Sequence, residues 1–218
     1  MANALKELLK QTRLYRAIRN WRDRAAWNRH LQEWERNGRP DPPPHLIKQA
    51  TIRSYARKYG LKVLVETGTF HGDMVEAMRK EFDRIYSIEL SPELHARAKR
   101  RFSGCENIEI LQGDSGTELG RLIERMHGPA LFWLDGHYSA GETARGDKDT
   151  PIFAELSHIF RSDCRGHVVI IDDARCFGRD PDYPTLDELR AHVQAMRSEV
   201  DIQVEHDSIR ITPVRRPE

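Results

Sequence analysis

The sequence has 218 residues, which is enough for one sizeable domain with an appendage and too few for two full domains. Hydrophobic residues make up 39% and charged residues 32%, a balance typical of a globular protein with a hydrated surface. A membrane-spanning helix needs about 20 consecutive apolar residues, and the sequence contains no such run. Three widely spaced cysteines (Cys105, Cys164 and Cys176) and an N-terminus without an apolar signal predict a cytoplasmic protein that has no disulfide framework.

The net charge of +1 conceals a basic first segment and an acidic remainder. Residues 1–60 contain 14 Lys and Arg against 5 Asp and Glu, whereas residues 61–218 contain 21 against 29. Such a segment can meet nucleic acid, anionic lipid or an acidic face of its own protein, and charge alone does not choose among these partners. Because no base-stacking motif or zinc pattern accompanies it, nucleic acid is not favoured. Packing on the acidic body, or formation of a homodimer through this segment, is the more ordinary explanation.

Helical patterns fill most of the first segment. Apolar residues recur at three- and four-residue steps over residues 5–34 and predict a helix with arginines on its other face. The glycine and prolines of residues 37–44 end that helix and hold an extended segment. A second helix is predicted from His45 to Tyr59, closed by Gly60.

Strand and helix patterns alternate after this point, so residues 1–60 form the predicted helical arm and residues 61–218 the predicted domain. Apolar runs predict strands over residues 61–66, 84–89, 108–111, 130–134, 167–171, 201–205 and 208–212. Helical patterns lie between them, over residues 74–82, 91–102, 116–126, 151–160 and 186–198. Near-continuous apolar strands imply a parallel sheet covered on both faces. We expect a Rossmann-like, doubly wound α/β fold, with a mostly parallel seven-stranded sheet and an antiparallel C-terminal hairpin.

Every predicted parallel strand ends at or near a carboxylate. These acids are Glu66, Glu89, Asp114, Asp135 and the adjacent pair Asp172 and Asp173. A single acid after a strand is usually a helix cap or a solvated turn residue, but five consecutive strand ends disfavour that explanation for the whole set. Because ligands of an open parallel sheet bind beyond the carboxyl ends of its strands, these acids predict a binding site.

The loop after the first strand is Glu66-Thr67-Gly68-Thr69-Phe70-His71-Gly72. It lacks the G-x-G-x-x-G spacing with which dinucleotide enzymes hold a pyrophosphate. An acid two residues before the first glycine instead suits a ligand with an amino group and no phosphate. Glu89 stands where an acid accepts ribose hydroxyls, and Asp114 stands where an adenine amino group is read. The combination predicts a pocket for a nucleoside joined to an amino acid.

These motifs resemble those of class I S-adenosylmethionine-dependent methyltransferases, over about residues 61–213. The form E-T-G-T-F-H-G is similar to that of the metal-dependent small-molecule O-methyltransferases, which include the catechol, caffeoyl-coenzyme A and macrolide-sugar enzymes. The resemblance implies S-adenosylmethionine as the cofactor. It further implies a set of cofactor contacts consisting of Glu66, Gly68, Thr69, Phe70, Gly72, Glu89, Leu90, Asp114, Ser115 and Asp135.

The same resemblance implies a divalent cation, with Mg²⁺ as the first candidate, on Asp135, Asp172 and Asp173. Three carboxylates on adjacent strand ends suit such an ion, which lowers the pKa of an acceptor hydroxyl and orients it. In the alternative, Asp173 caps the next helix and Asp135 only begins a loop. Asp135 is also a candidate catalytic residue. His137, two residues beyond it, is the candidate general base. Tyr138 replaces the lysine of the catechol-type enzymes, which argues against a catechol substrate.

Residues 138–149 are polar and contain glycines, which predicts a lid over the substrate. Arg145, Lys148 and Arg175 are candidates to meet an anionic group there, with plain solvent exposure as the alternative. Since the lid has few aromatic residues for a phenolic ring, we expect O-methylation of a small hydroxylated acceptor, a sugar or a glycosylated metabolite. Two other interpretations stay open: a metal-independent methyltransferase that holds nucleic acid with the basic arm, and a cofactor-binding scaffold without catalysis.

Overall fold

The computed structural model describes residues 29–136 and 150–214. The chain divides into two compact units, Met1–Lys48 and Gln49–Glu218. The division into an arm and a domain after residue 60, expected from the sequence, stays a prediction.

In the first unit, residues 29–36 are helical. Trp34 is buried, and its indole Nε1 donates a hydrogen bond of 2.7 Å to the carbonyl oxygen of Pro40. The guanidinium of Arg39 lies 5.9 Å from the centre of the same ring. These contacts fold the proline-containing segment back on the end of the helix. The greater part of the helix predicted over residues 5–34 lies outside the described residues.

The second unit contains a seven-stranded sheet. Its strands are β1 (Val63–Thr67), β2 (Arg84–Glu89), β3 (Ile108–Gln112), β4 (Leu131–Leu134), β5 (Val168–Ile171), β6 (Val200–Glu205) and β7 (Ser208–Pro213). Their order in the sheet is β3-β2-β1-β4-β5-β7-β6. Strands β1 to β5 are parallel to one another, while β7 runs antiparallel to both β5 and β6. The predicted fold class, a mostly parallel sheet with an antiparallel C-terminal hairpin, is therefore confirmed.

Six α-helices and one short 3₁₀ helix are described in full. They are α1 (His45–Tyr59), α2 (Asp73–Met78), α3 (Pro92–Arg101), α4 (Ser115–Glu124), α5 (Ile152–Arg161), α6 (Leu186–Met196) and the 3₁₀ helix Ala174–Cys176. The predicted start of α3 is confirmed, because the Ser91 hydroxyl accepts the Leu94 N–H and Pro92 occupies the first turn. Within the described ranges, no helix has the length and apolar character needed to cross a bilayer.

Both faces of the sheet are buried, and alternate strand residues supply them. On one face Leu131 and Trp133 of β4 belong to a core formed with α1, α2 and α3. On the other face Phe132 and Leu134 belong to a core formed with α4, α5 and α6. All four side chains of β4 are buried, which explains why its sequence is apolar without alternation.

One predicted helix is longer than the helix in the structure, and one short helix was not predicted. The helix expected over residues 74–82 ends at Met78, because the Glu81 N–H closes a turn on the Met78 carbonyl and the Asp83 N–H then bonds to Lys62. Phe82 follows this turn and is buried, so its apolar side chain extended the predicted helical pattern beyond the end of the helix. The 3₁₀ helix Ala174–Cys176 was not predicted, since three residues are too few to leave a periodic signal.

His167 lies at the opposite edge of the sheet from the strand-end acids, just before β5. Its Nδ1 accepts the Ala130 N–H at 3.2 Å, and its ring meets Phe132 edge-on at 5.0 Å. Burial, with a contribution from the charge of Arg197, lowers the pKa of His167 to about 4 from an ordinary value of 6.5. The folded protein therefore holds this imidazole neutral over a range in which the unfolded chain protonates it.

We expect the folded state to lose on the order of 2 kcal/mol through His167 alone as the pH falls from about 6.5 to about 4.5. The sign follows from the depressed pKa, since below 6.5 only the unfolded state binds the proton. In His167→Asn the side-chain oxygen can still accept the Ala130 N–H, but nothing titrates. Urea unfolding across this pH range should give a shallower decline for the variant than for the wild type. If the stability of the variant and of the wild type declined in parallel, His167 would not be the source of the pH dependence.

Candidate functional site

The strand-end acids meet at one edge of the sheet because the strands that carry them are parallel neighbours. In the register of the sheet, Glu66 of β1 lies between Ser87 of β2 and Trp133 of β4. Glu66 is 2% exposed and Glu89 is 5% exposed. Both are therefore buried carboxyl groups on adjacent strands, at the edge where this class of fold binds its ligands.

The loop after β1 folds tightly over that edge. The Gly68 N–H donates to the Ile88 carbonyl at 2.9 Å, and Gly68 has a φ of 84°, in the left-handed region. A Cβ atom added at Gly68 would lie 2.4 Å from the carbonyl oxygen of Asp135. Gly68 therefore allows the loop after β1 to touch the end of β4. Gly72 has a related packing role, since a Cβ there would lie 2.8 Å from the ring of Phe102.

Glu66 is held by hydroxyl groups. The Ser87 hydroxyl donates to Glu66 Oε2, and Ser87 and Thr69 share a hydrogen bond of 2.6 Å. Burial raises the pKa of Glu66 to about 8, against the Ser87 hydrogen bond, and the negative charges of Asp135 and Glu89 raise it further. At neutral pH Glu66 is therefore predominantly protonated. A cationic group placed beside it would favour the ionised form.

Glu89 joins the loops that follow β1 and β2. Its Oε2 accepts the Phe70 N–H at 2.7 Å and its Oε1 accepts the Ser91 N–H at 2.9 Å. Phe70 has a φ of 48°, which is uncommon for a bulky residue. The residue is 43% exposed, and its ring stacks on that of His71 with the ring centres 3.8 Å apart. Each oxygen of the side chain has two lone pairs, so Glu89 can accept ligand hydroxyls in addition to the two backbone donors.

Asp114 occupies the N-cap position of α4, but its side chain makes no capping hydrogen bond. Ser91 and Thr185 do cap their helices, so capping does not explain why Asp114 is an acid. The adjacent Ser115 is buried, and a Cβ added at Gly136 would lie 3.3 Å from its Oγ. The loops after β3 and β4 thus meet beside the loop after β1.

Leu90 and Thr67 complete the first part of the site. The Leu90 carbonyl accepts a hydrogen bond of 3.4 Å from Gln112, which ties the end of β2 to β3. Thr67 is fully buried, and its hydroxyl oxygen has no hydrogen-bond partner within the described ranges. A Cβ at Gly136 would lie 3.0 Å from that oxygen. A polar group of this kind at a ligand-binding edge is a candidate ligand contact.

Asp135, Asp172 and Asp173 form an acidic triad, in which one carboxylate oxygen of each residue lies within 4.8 Å of the others. Asp172 and Asp173 are 3% and 6% exposed, whereas Asp135 is half-buried. Asp173 begins the 3₁₀ helix Ala174–Cys176 without a side-chain capping bond, which disfavours the helix-cap alternative. Three hard oxygen ligands on adjacent strand ends fit a divalent cation of the Mg²⁺ type.

Arg175 differs from its sequence-based interpretation. It was a candidate to meet an anionic group, but its Nη1 donates to Asp173 Oδ1 at 2.7 Å and also to Asp207 Oδ2. Although burial opposes the charged guanidinium, Asp173 and Asp207 together raise the pKa of Arg175 above its usual value. The guanidinium is therefore paired inside the protein. His137 and residues 138–149, including the predicted lid, lie outside the described residues.

Sequence reasoning missed Ser87 and Asp207. Ser87 is a polar residue inside the otherwise apolar run of β2, and that interruption was an available signal. Asp207 is buried although it lies in the β6–β7 turn, where an acid usually faces solvent. Its contact with Arg175, 32 residues away, gave no local signal.

Solved methyltransferase structures share this fold. The O-methyltransferase TomG of Streptomyces achromogenes, in complex with S-adenosylmethionine, matches with a TM-score of 0.56 and 18% identity, over 86% of this chain and 88% of its own. An O-methyltransferase of Bacillus cereus, in complex with S-adenosylhomocysteine, matches with a TM-score of 0.57 and 15% identity, over 86% and 90%. A putative rRNA methylase of Clostridium thermocellum matches with a TM-score of 0.52 and 10% identity, over 74% and 94%.

No protein-family model and no curated protein matches the chain. The predicted resemblance to class I S-adenosylmethionine-dependent methyltransferases is confirmed at the level of the fold. Because proteins described as O-methyltransferases and as an rRNA methylase match alike, the fold does not choose the methyl acceptor.

We predict that Gly68→Ala destabilises the protein by at least about 2 kcal/mol more than Gly60→Ala does. Both glycines have positive φ values, 84° and 65°, so both substitutions carry the penalty of the left-handed conformation. Only the Cβ at residue 68 collides with backbone, since nothing lies within 4 Å of a Cβ at residue 60. Chemical denaturation of both variants measures the difference. Equal losses would mean that the loop after β1 relaxes away from Asp135.

For Glu66 we predict the opposite pH dependence to that of His167. A carboxyl group with a raised pKa stays protonated in the folded state while the unfolded chain ionises, so stability falls as the pH rises from about 4.5 to about 8. Glu66→Gln resembles the neutral acid and lacks this decline. The stability of the variant relative to wild type should therefore improve by on the order of 3 kcal/mol between about pH 5 and 8, measured by urea unfolding. A constant difference across that range would contradict the raised pKa.

Proposed function

We propose that this protein is an S-adenosylmethionine-dependent methyltransferase that methylates a hydroxyl group of a small molecule, with a divalent cation beside the acceptor. One observation carries the proposal: two sets of carboxyl groups lie at the same edge of a methyltransferase fold. Glu66 and Glu89 form the first set, and the acidic triad forms the second. The proposed ligands bring positive charge to both sets, through the amino and sulfonium groups of the cofactor and through the metal ion.

The residues of the first set fit S-adenosylmethionine. Glu66 is a buried acid whose pKa of about 8 leaves it ready to ionise beside an ammonium group. Glu89 has acceptor positions to spare for ribose hydroxyls, and the non-capping Asp114 is available to the adenine amino group. Thr67 supplies a further hydroxyl at the same edge. The tight loop around Gly68 would bring backbone close to the methionine moiety.

The residues of the second set fit a divalent cation, with Mg²⁺ preferred. Asp135, Asp172 and Asp173 would hold it through carboxylate oxygens. When bound there, the ion would polarise an acceptor hydroxyl and lower its pKa. Aspartate at each position, without sulfur or imidazole, argues against a zinc or iron site.

The transfer breaks the bond between the sulfonium sulfur and the methyl carbon and forms a bond from that carbon to the acceptor oxygen. The electron pair of the broken bond stays on sulfur, and S-adenosylhomocysteine leaves. The hydroxyl proton passes to a base, for which His137 remains the sequence-based candidate. The chain's own contribution is to hold donor and acceptor in line, which is a large part of catalysis in such transfers.

The proposed acceptor is a hydroxylated small molecule, with sugars or glycosylated metabolites tested first. This choice rests on the polar composition of residues 138–149, which follow the triad residue Asp135. The alternatives are an enzyme that acts on nucleic acid without a metal, and a scaffold that binds the cofactor without turnover.

We predict that S-adenosylhomocysteine binds the wild type with micromolar affinity and binds Glu89→Ala about 10- to 100-fold more weakly, because hydrogen bonds to a charged group are lost. The measurement is calorimetric titration. Glu109→Ala is the matched control: Glu109 is also a strand acid, but it lies near the start of β3 and pairs with Arg84 and Arg125. The control should bind like the wild type.

A panel of sugar and phenolic acceptors, assayed with Mg²⁺ and with a chelator, tests the rest of the proposal. Product formation that needs Mg²⁺ and is lost in Asp172→Asn supports the metal-assisted reaction. Salt-sensitive binding and methylation of RNA without added metal would replace it by the nucleic-acid alternative. Cofactor binding without turnover on any acceptor would favour the scaffold, and a folded protein that binds no nucleoside would overturn the assignment as a methyltransferase.

A further inference from the structure

We propose that Asp207, in the turn between β6 and β7, is a positioning residue that sets the divalent-cation affinity of the acidic triad by acting through Arg175. The inference rests on the metal site of the proposed function and adds to it a residue from a different part of the chain. Asp207 is 34 positions beyond Asp173, belongs to the antiparallel hairpin, and is 5% exposed.

Three contacts join this turn to the segment after β5. The Arg175 N–H donates to Asp207 Oδ1 at 2.8 Å, and the Arg175 guanidinium donates to Asp207 Oδ2. The Ala174 N–H donates to the Asp207 carbonyl at 2.9 Å. One acid therefore holds both the backbone and the side chain of the residues that directly follow the triad.

The backbone conformation of Asp173 explains why these contacts are needed. Asp173 has a φ of 54°, a conformation that costs on the order of 1 kcal/mol for a residue other than glycine. It is stabilised on both sides: its carbonyl accepts the Cys176 N–H at 2.9 Å, and its Oδ1 accepts Arg175 Nη1 at 2.7 Å. The direction of the Asp173 carboxylate thus depends on the place of Arg175, which Asp207 determines.

Charge gives the contact a second consequence. Arg175 contacts Asp173 and Asp207 with the same nitrogen, so the guanidinium is shared between a triad carboxylate and a carboxylate outside the triad. Removal of the negative charge of Asp207 would leave Asp173 as the remaining acceptor in this pair and strengthen its hold on the guanidinium. The guanidinium of Arg175 would then compete more effectively with a metal ion for the carboxylate of Asp173. Positioning and charge both predict weaker metal binding without Asp207.

Asp207→Asn is the discriminating variant. Residue 207 has a φ of 56°, and asparagine tolerates that conformation as well as aspartate does, so the turn is retained. We expect Mn²⁺ affinity, measured by electron paramagnetic resonance of the free ion with Mg²⁺ as competitor, to fall about 10-fold. Affinity for S-adenosylhomocysteine in the absence of metal should stay within about 2-fold, a split that general destabilisation would not produce.

Glu205→Gln is the matched control. Glu205 lies in the same hairpin and also pairs with a buried arginine, Arg210, but within the described ranges it makes no hydrogen bond or ion pair with residues 173–175. The variant removes one carboxylate and its ion pair with Arg210 near the turn, and it should retain the Mn²⁺ affinity of the wild type. In an Arg175→Gln background the effect of Asp207→Asn should shrink to within about 2-fold, because Asp207 acts through Arg175.

The outcomes separate this inference from the function on which it rests. If the wild type binds Mn²⁺ and Asp207→Asn binds it equally well, the role of Asp207 is overturned and the metal site stays intact. The same conclusion follows if Asp207→Asn loses as much Mn²⁺ affinity in the Arg175→Gln background as in the wild type. Binding of S-adenosylhomocysteine without Mn²⁺ binding removes both the metal site and the inference, but not the methyltransferase. A failure to bind S-adenosylhomocysteine removes the proposed function itself.

Discussion

Repulsion among carboxyl groups at one edge of the sheet is the constraint on which the site depends. Parallel strands bring their carboxyl ends together, and burial strengthens the repulsion because water is excluded. The protein accommodates its acids in different ways. Glu66 is predominantly protonated at neutral pH, Glu89 accepts two backbone N–H groups, and Asp173 shares the guanidinium of Arg175. Each arrangement leaves the acid close to a position where a cationic or hydrogen-bonding ligand would bind.

These arrangements also include three residues of the second unit with uncommon backbone conformations, Phe70, Asp173 and Asp207. Phe70 has a positive φ and donates its N–H to Glu89, while Asp173 has a positive φ and lies beside Arg175. The β6–β7 turn, with positive φ at His206 and Asp207, turns Asp207 back toward the same arginine. Residues held in sparsely populated conformations are concentrated at functional sites, where the surrounding contacts maintain them. Here the contacts that maintain them are those of the buried acids.

The architecture could be predicted from the sequence because short stretches of the sequence indicate where its strands and helices lie. Buried strands of β-branched residues, a serine–proline helix start and an acid at or near the end of each parallel strand are all short-range signals. The predicted bounds of α1 and β2 match the structure. The contacts that tune the site were not predictable in this way. The bonds of Ser87 to Glu66 and of Arg175 to Asp207 join residues 21 and 32 positions apart, and only the packing of the sheet brings them together. The predicted length of α2 was wrong because Phe82, which is buried after a turn, stands at a position that continues the helical spacing of apolar residues.

The two sets of acids are coupled through Asp135, and this bears on how the proposed ligands would influence each other. The charge of Asp135 is one of the causes that raise the pKa of Glu66. A cation held by the triad would offset that charge and lower the pKa of Glu66. The ionised form of Glu66, which would pair with the amino group of the proposed cofactor, would then be favoured. Because such coupling is reciprocal, the cofactor would strengthen metal binding by the same factor. The crowding of these acids would thus make binding of the two proposed ligands cooperative, and their joint presence is what the proposed reaction needs.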